Sequence, residues 1–223
     1  GGAGLMAGIL VSGGTYSGSG DVTTDWVNIK NVAGGWFIAP EGDLTLISQT
    51  GGYSMQASLP TGATAGFHSN GGTVVFENTV GPAQNPLIDV EGFNGYGHFC
   101  NVRVTTDITR YHTRIKASGN LTIDVGGTFE SSRAAYTTNN TYVDFDGDAV
   151  VAGTYNAEGL DTGAVGDTFG SITVTSAGTF KACSGTTVIT SNAGSKIDCD
   201  GVPSRLIHDD GTIQALGVNG YGF

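Results

Sequence analysis

Hydrophobic side chains recur at every second position in short runs along most of the 223-residue chain, and each run is bounded by Gly, Asn, Asp or Ser. A period of two marks strands with one face turned to a core. Strands are expected at 8–11, 26–32, 35–39, 44–48, 73–80, 87–90, 99–105, 113–117 and 121–125. Further strands are expected at 142–145, 149–155, 171–175, 179–183, 187–190, 196–199 and 212–216. No segment carries a capped apolar pattern of period 3.6, so helix should be nearly absent.

The strands repeat. Leu121-Thr-Ile-Asp-Val-Gly-Gly-Thr-Phe129 matches Ile172-Thr-Val-Thr-Ser-Ala-Gly-Thr-Phe180, and Ala149-Val-Val-Ala-Gly-Thr-Tyr155 falls between them. Gly127, Gly153 and Gly178 follow at spacings of 26 and 25 residues, the length of one coil of a β-solenoid. On this phasing Phe129, Tyr155 and Phe180 stack as a ladder, with strands about 4.8 Å apart. Gly14-Thr-Tyr16, Gly72-Thr-Val74 and Gly211-Thr-Ile213 read as diverged copies of the same corner. The expected fold is all-β, a right-handed β-solenoid of short strands. The alternative is a β-sandwich, in which the same triplets are turns between antiparallel strands. A less regular segment, 1–70, precedes a solenoid body at 71–223.

Gly71-Gly-Thr-Val-Val-Phe-Glu-Asn78, His98-Phe-Cys-Asn-Val-Arg-Val-Thr105 and Gly119-Asn-Leu-Thr-Ile-Asp-Val-Gly-Gly-Thr-Phe129 add a resemblance. Over about residues 71–194 the chain is similar to the β-helical repeats of filamentous-haemagglutinin-like adhesins and related extracellular structural proteins. The resemblance implies a surface location and a structural or adhesive role, and it transfers no catalytic residue. Residues 1–70 depart from the pattern.

Composition narrows the classes of function. Thirty-eight glycines with five prolines and no Gly-X-Y period exclude collagen, and 39% hydrophobic residues suffice for a core. A charged fraction of 13% leaves Thr, Ser, Gly and Asn at the polar positions, as in extracellular β-proteins. The net charge of −11 opposes nucleic-acid binding. No apolar run is long enough for a spanning helix, so no membrane insertion is expected. The chain opens on Gly1-Gly2 with no basic stretch before its first apolar run, so the expectation is export with the leader already removed.

Asp144, Asp146 and Asp148 place three carboxylates at alternate positions, where calcium is the one cofactor to consider, against a solvated turn. A glycine at the fourth place and no glutamate at the twelfth exclude an EF-hand. Cys183 and Cys199 are a candidate disulfide, with two unpaired thiols the alternative, and Cys100 is left buried or free. Asn120 and Asn139 open glycosylation sequons. The four histidines form no metal or catalytic pattern, and no nucleophile or paired-acid motif is present, so no enzyme is expected; the alternative is a carbohydrate-binding or polysaccharide-cleaving β-helix, whose acids Asp124, Asp144, Asp146 and Asp148 would supply. Aromatics such as Trp36, Phe93 and Tyr221 offer surface glycans a stacking surface where exposed, although aromatics in alternating strands are more often core.

The expected partner is the chain itself, in a filament, sheath or coat. Arg103, Arg110, Arg114 and Lys116 fall in one short stretch, while residues 117–223 hold twelve acids against four bases. A basic face matched to an acidic neighbour would set register between subunits. Leu5, Met6, Ile9, Leu10 and Val11 make a second interface candidate, because exposing them together creates an adhesive patch. The competing reading folds this run back as the first strand of its own domain.

Overall fold

The computed structural model describes residues 8–30, 35–48, 53–58, 66–77, 87–89, 99–110, 115–130, 142–157, 166–175, 177–191, 197–200 and 205–216. These residues form twenty-five strands and no helix. Every strand pairing is parallel, which excludes the sandwich reading, and the chain winds as a β-solenoid.

The chain visits three faces in turn. Face 1 is a nine-stranded sheet of β1 (Ile9–Val11), β4 (Val27–Lys30), β7 (Tyr53–Ser58), β10 (Leu87–Asp89), β12 (Asp107–Arg110), β15 (Thr128–Glu130), β18 (Thr154–Asn156), β21 (Thr179–Ala182) and β24 (Arg205–His208). Face 2 has β2 (Thr15–Ser17), β5 (Trp36–Ile38) and β8 (Gly66–His68) in one sheet. It continues in a second, formed by β13 (Ile115–Ala117), β16 (Val143–Phe145), β19 (Thr168–Phe169), β22 (Thr186–Ile189) and β25 (Thr212–Ala215). Phe99 joins these two sheets, bridging to Ala117 and packing its ring 5.2 Å from that of Phe67. Face 3 has eight strands: β3 (Val22–Thr24), β6 (Asp43–Leu46), β9 (Thr73–Phe76), β11 (Asn101–Val104), β14 (Leu121–Ile123), β17 (Ala149–Val151), β20 (Ile172–Val174) and β23 (Ile197–Cys199).

Alternation decides what each face buries. On face 3 one inward row passes through Val74, Val102, Leu121, Ala149 and Ile172, and a second through Phe76, Val104, Ile123, Val151 and Val174. The row between them, including Thr45, Arg103, Thr122 and Thr173, points outward. The inward rows of all three faces meet in one core. Phe129, Tyr155 and Phe180 are in register on face 1, with ring centroids 5.7 and 4.6 Å apart and nearly parallel planes, so the ladder expected from the Gly-Thr spacing is present. Phe169 meets Tyr155 and Phe180 edge-on from face 2.

Several expectations need correction. Positions 149–155 are two strands, because at Gly153 the chain turns from face 3 to face 1 where a β-carbon would strike the Gly127 carbonyl. Gly14-Thr-Tyr16 and Gly211-Thr-Ile213 lead onto face 2 and Gly72-Thr-Val74 onto face 3, so they are not copies of the Gly127 corner. The triplet recurs because more than one corner passes close to the coil beneath it: Gly72 and Gly211 would drive a β-carbon into carbonyls of Gly42 and Cys183. Across position 70, β6 pairs with β9 over four residues, and β7 pairs with β10.

Candidate functional site

The structure disperses the three aspartates. Asp144 sits outward on β16, where its Oδ2 lies 2.9 Å from Lys116 Nζ on the preceding coil. Asp146 is exposed at the corner after that strand. Asp148 follows the turn onto face 3, and its Oδ1 accepts a 2.7 Å hydrogen bond from Ser171 Oγ on the next coil. Among the described residues no group of three or more His, Cys, Asp or Glu is arranged to hold a metal ion.

Asp148 belongs instead to a polar row along the corner between faces 2 and 3. Asn101 Oδ1 accepts the backbone N–H of Asn120 at 3.0 Å, and Asn120 Oδ1 accepts that of Asp148 at 2.8 Å. Nearer the N-terminus Asp21 Oδ1 accepts the N–H of Asp43 at 3.0 Å. Each side chain thus satisfies a backbone donor one coil on, at a turn where the ladder offers no partner. The sequon at Asn120 therefore lies on an exposed corner, with its side-chain oxygen already engaged; Asn139 lies outside the described residues.

Cys183 and Cys199 do not pair. Both are free thiols: Cys183 is buried beside Thr187 Oγ1 at 3.6 Å, whereas Cys199 is exposed on the last strand of face 3. Proximity in sequence misleads here because sixteen residues carry the chain around much of a coil. Cys100 is also free and partly buried.

The basic stretch is scattered for the same reason. Arg103 lies on face 3, Arg110 in β12 on face 1, and Lys116 on face 2, while Arg114 is outside the described residues. Arg103 donates from Nε and Nη2 to Asp124 Oδ2 at 3.0 and 2.7 Å. That hydrogen bond, with the charges of Asp124, Asp43 and Glu77, raises the Arg103 pKa against a smaller loss from burial. The hydrogen bond to Asp144 likewise raises that of Lys116. Two of the four cations, Arg103 and Lys116, are thus paired within the chain, and on different faces.

Sequence reading missed the fully buried carboxyl of Asp167, which accepts hydrogen bonds from Tyr155 Oη at 2.6 Å and the Val143 N–H at 3.0 Å. An aspartate after Gly166 at a loop edge resembles any turn residue, and only the coil stacking carries it inside.

The end coils are the remaining candidates. Ile9 and Val11 belong to β1, which pairs with β4 in its own sheet, so this part of the N-terminal run folds back on its own domain; Leu5 and Met6 are outside the described residues. Val11 is buried, and Leu10 points outward at 49% exposure. Among the described residues the terminal strands β1, β2 and β3 at one end, and β23, β24 and β25 at the other, pair on one side only. Among the described residues, the partly buried hydrophobics that pack against the core are Ile9, Tyr16, Val22, Ile197, Leu206 and Ile213. One belongs to each terminal strand. They are inward rows that stop without a covering layer among the described residues.

Comparison of the chain with protein-family models, with curated proteins and with solved structures found no match. No helix among the described residues is long and apolar enough to cross a membrane.

Proposed function

We propose that this chain is a non-enzymatic, extracellular structural protein that self-assembles into a surface filament, sheath or coat, with adhesion as an allied role. One observation carries this reading: both ends of the described solenoid leave parallel strand edges open, each set around half-covered apolar residues. Such edges template further strands, and a partner that continues the stack satisfies their hydrogen bonds and buries their side chains together. The outer faces suit a scaffold, since two charged pairs and the corner amides are spent joining one coil to the next. The chemistry of the outward Thr, Asn and Gln side chains also suits an aqueous exterior.

Negative-stain microscopy and sizing of the native material test the proposal. Assemblies of megadalton size support it. A monodisperse monomer or trimer that binds or cleaves glycans overturns it, as does release of reducing or unsaturated sugars from a polysaccharide panel that is lost in Asp144→Asn or Asp146→Asn.

A further inference from the structure

We infer that copies of this chain join head to tail, with β1 of one copy stacked on β24 of the next and β2 on β25. The inference rests on the self-assembly reading above and specifies its joint. Two independent features lead to it.

The first is the placement of exposed apolar side chains. Among the described residues the exposed large hydrophobics are Leu10, Val125, Ile207 and Leu216. Leu10 is the outward residue of β1 and Ile207 an outward residue of β24, so the two stand at opposite ends of face 1. Between them the described outward side chains include the polar Asn28, Gln56, Glu130, Asn156 and Lys181. Leu216 follows β25 at the same end as Ile207 and donates its N–H to the Ile189 carbonyl. Within the strands of face 1 the exposed large hydrophobics among the described residues are Leu10 and Ile207, one on each end strand, as a joint between those strands requires, since each covers the other; Val125 lies apart, at a mid-stack corner between β14 and β15.

The second feature is direction. A copy added head to tail keeps the sense of winding, so face 1 continues face 1 and face 2 continues face 2. Ile9 then lies over Leu206, and Tyr16 over Ile213, extending the inward rows. Tyr16 already stacks on Phe37 with centroids 4.9 Å apart, so the joint covers the open end of an existing aromatic column with the aliphatic Ile213. Head-to-head docking reverses the winding of one copy, sets its face 2 against the other's face 3, and breaks the rows. A head-to-tail joint is heterologous and does not close on itself, so it yields a filament.

Mixing experiments on the full chain test the joint, in a background with Cys100 and Cys199 replaced by Ser. Leu10→Cys and Ile207→Cys are prepared separately, combined, and treated with a short bifunctional thiol cross-linker. A covalent dimer formed in the mixture and by neither variant alone is the expected result. Leu10→Lys, checked for unchanged β-type circular dichroism, is expected to raise the concentration needed for assembly by about tenfold or more, as loss of one buried apolar contact requires. Polymers that form without the mixed cross-link overturn the joint and leave the structural reading standing. Cross-linking within either variant alone also overturns it, in favour of head-to-head pairing. A chain that stays monomeric at every concentration overturns both the joint and the reading beneath it.

Discussion

Gly126 and Gly127 are neighbours that answer different demands. Gly126 has φ +84° with open space around its α-carbon, so its need is conformational. Gly127 would carry a β-carbon 2.7 Å from the Val104 carbonyl oxygen of the coil beneath, so its need is room. Gly126→Asn should therefore cost less than about 1 kcal/mol, because Asn tolerates the left-handed region. Gly127→Ala should cost about 1–3 kcal/mol, because the obstructing atom is backbone and cannot rotate away. Urea unfolding of the two variants checks the order, and equal costs would contradict this division. The buried carboxyl of Asp167 makes a second test. Removing the Tyr155 hydroxyl deletes one of its donors, so Tyr155→Phe should lose about 1–3 kcal/mol. Asp167→Ala, which also strands the Val143 N–H, should lose more.

At the scale of strands and corners, the ion pairs join successive coils and contribute little each. Lys116 and Asp144 are 42% and 26% exposed, so solvent screening limits Lys116→Met to under about 1 kcal/mol near neutral pH. The hydrogen bond to Asp144 raises the lysine pKa above its ordinary 10.5 in the folded chain. A raised cationic pKa gives a stabilisation that is complete below the unfolded value and lost as pH rises through the folded one. The stability gap between wild type and Lys116→Met should therefore be constant to about pH 9 and close above the ordinary lysine range. Thermal melts of both proteins across that range read it, and a gap that persists at the alkaline end would rule out the pairing as its source. Legibility at this scale follows strand chemistry. β14, β17, β20 and β21 carry aliphatic or aromatic inward residues in alternation and were readable. β2 and β3, with the sequences Thr-Tyr-Ser and Val-Thr-Thr, were not, and neither was β19, which has two residues. Their pairing comes from stacking on neighbours, since two or three residues with a single inward apolar side chain hold no strand alone. The Phe129–Tyr155–Phe180 ladder was legible because three consecutive coils keep nearly one length. The Asn101–Asn120–Asp148 row was not, because its members sit at unequal distances from any repeated motif.

For the whole molecule, stability in a one-dimensional stack is a sum of coil terms and nearest-neighbour interfaces, so a coil with one neighbour opens more easily than a coil with two. The burial of the end rows follows this rule. Ile123, Val151 and Val174 are fully buried in mid-stack, whereas Cys199, next in the same row, is exposed on the last strand of face 3. Native-state hydrogen exchange on the dispersed chain should accordingly show a gradient. Amides of β14, β17 and β18 should be the slowest, with opening free energies close to that of global unfolding, and those of β1, β24 and β25 the fastest. Assembly changes the prediction at the ends alone. A head-to-tail joint gives β1 and β24 the second neighbour they lack, so their protection should rise toward that of the centre while β14 and β17 stay unchanged. Protection that rises along outward faces in mid-stack, with the ends unaltered, would mean lateral packing of coils, and the open edges would then not be the surfaces that assemble.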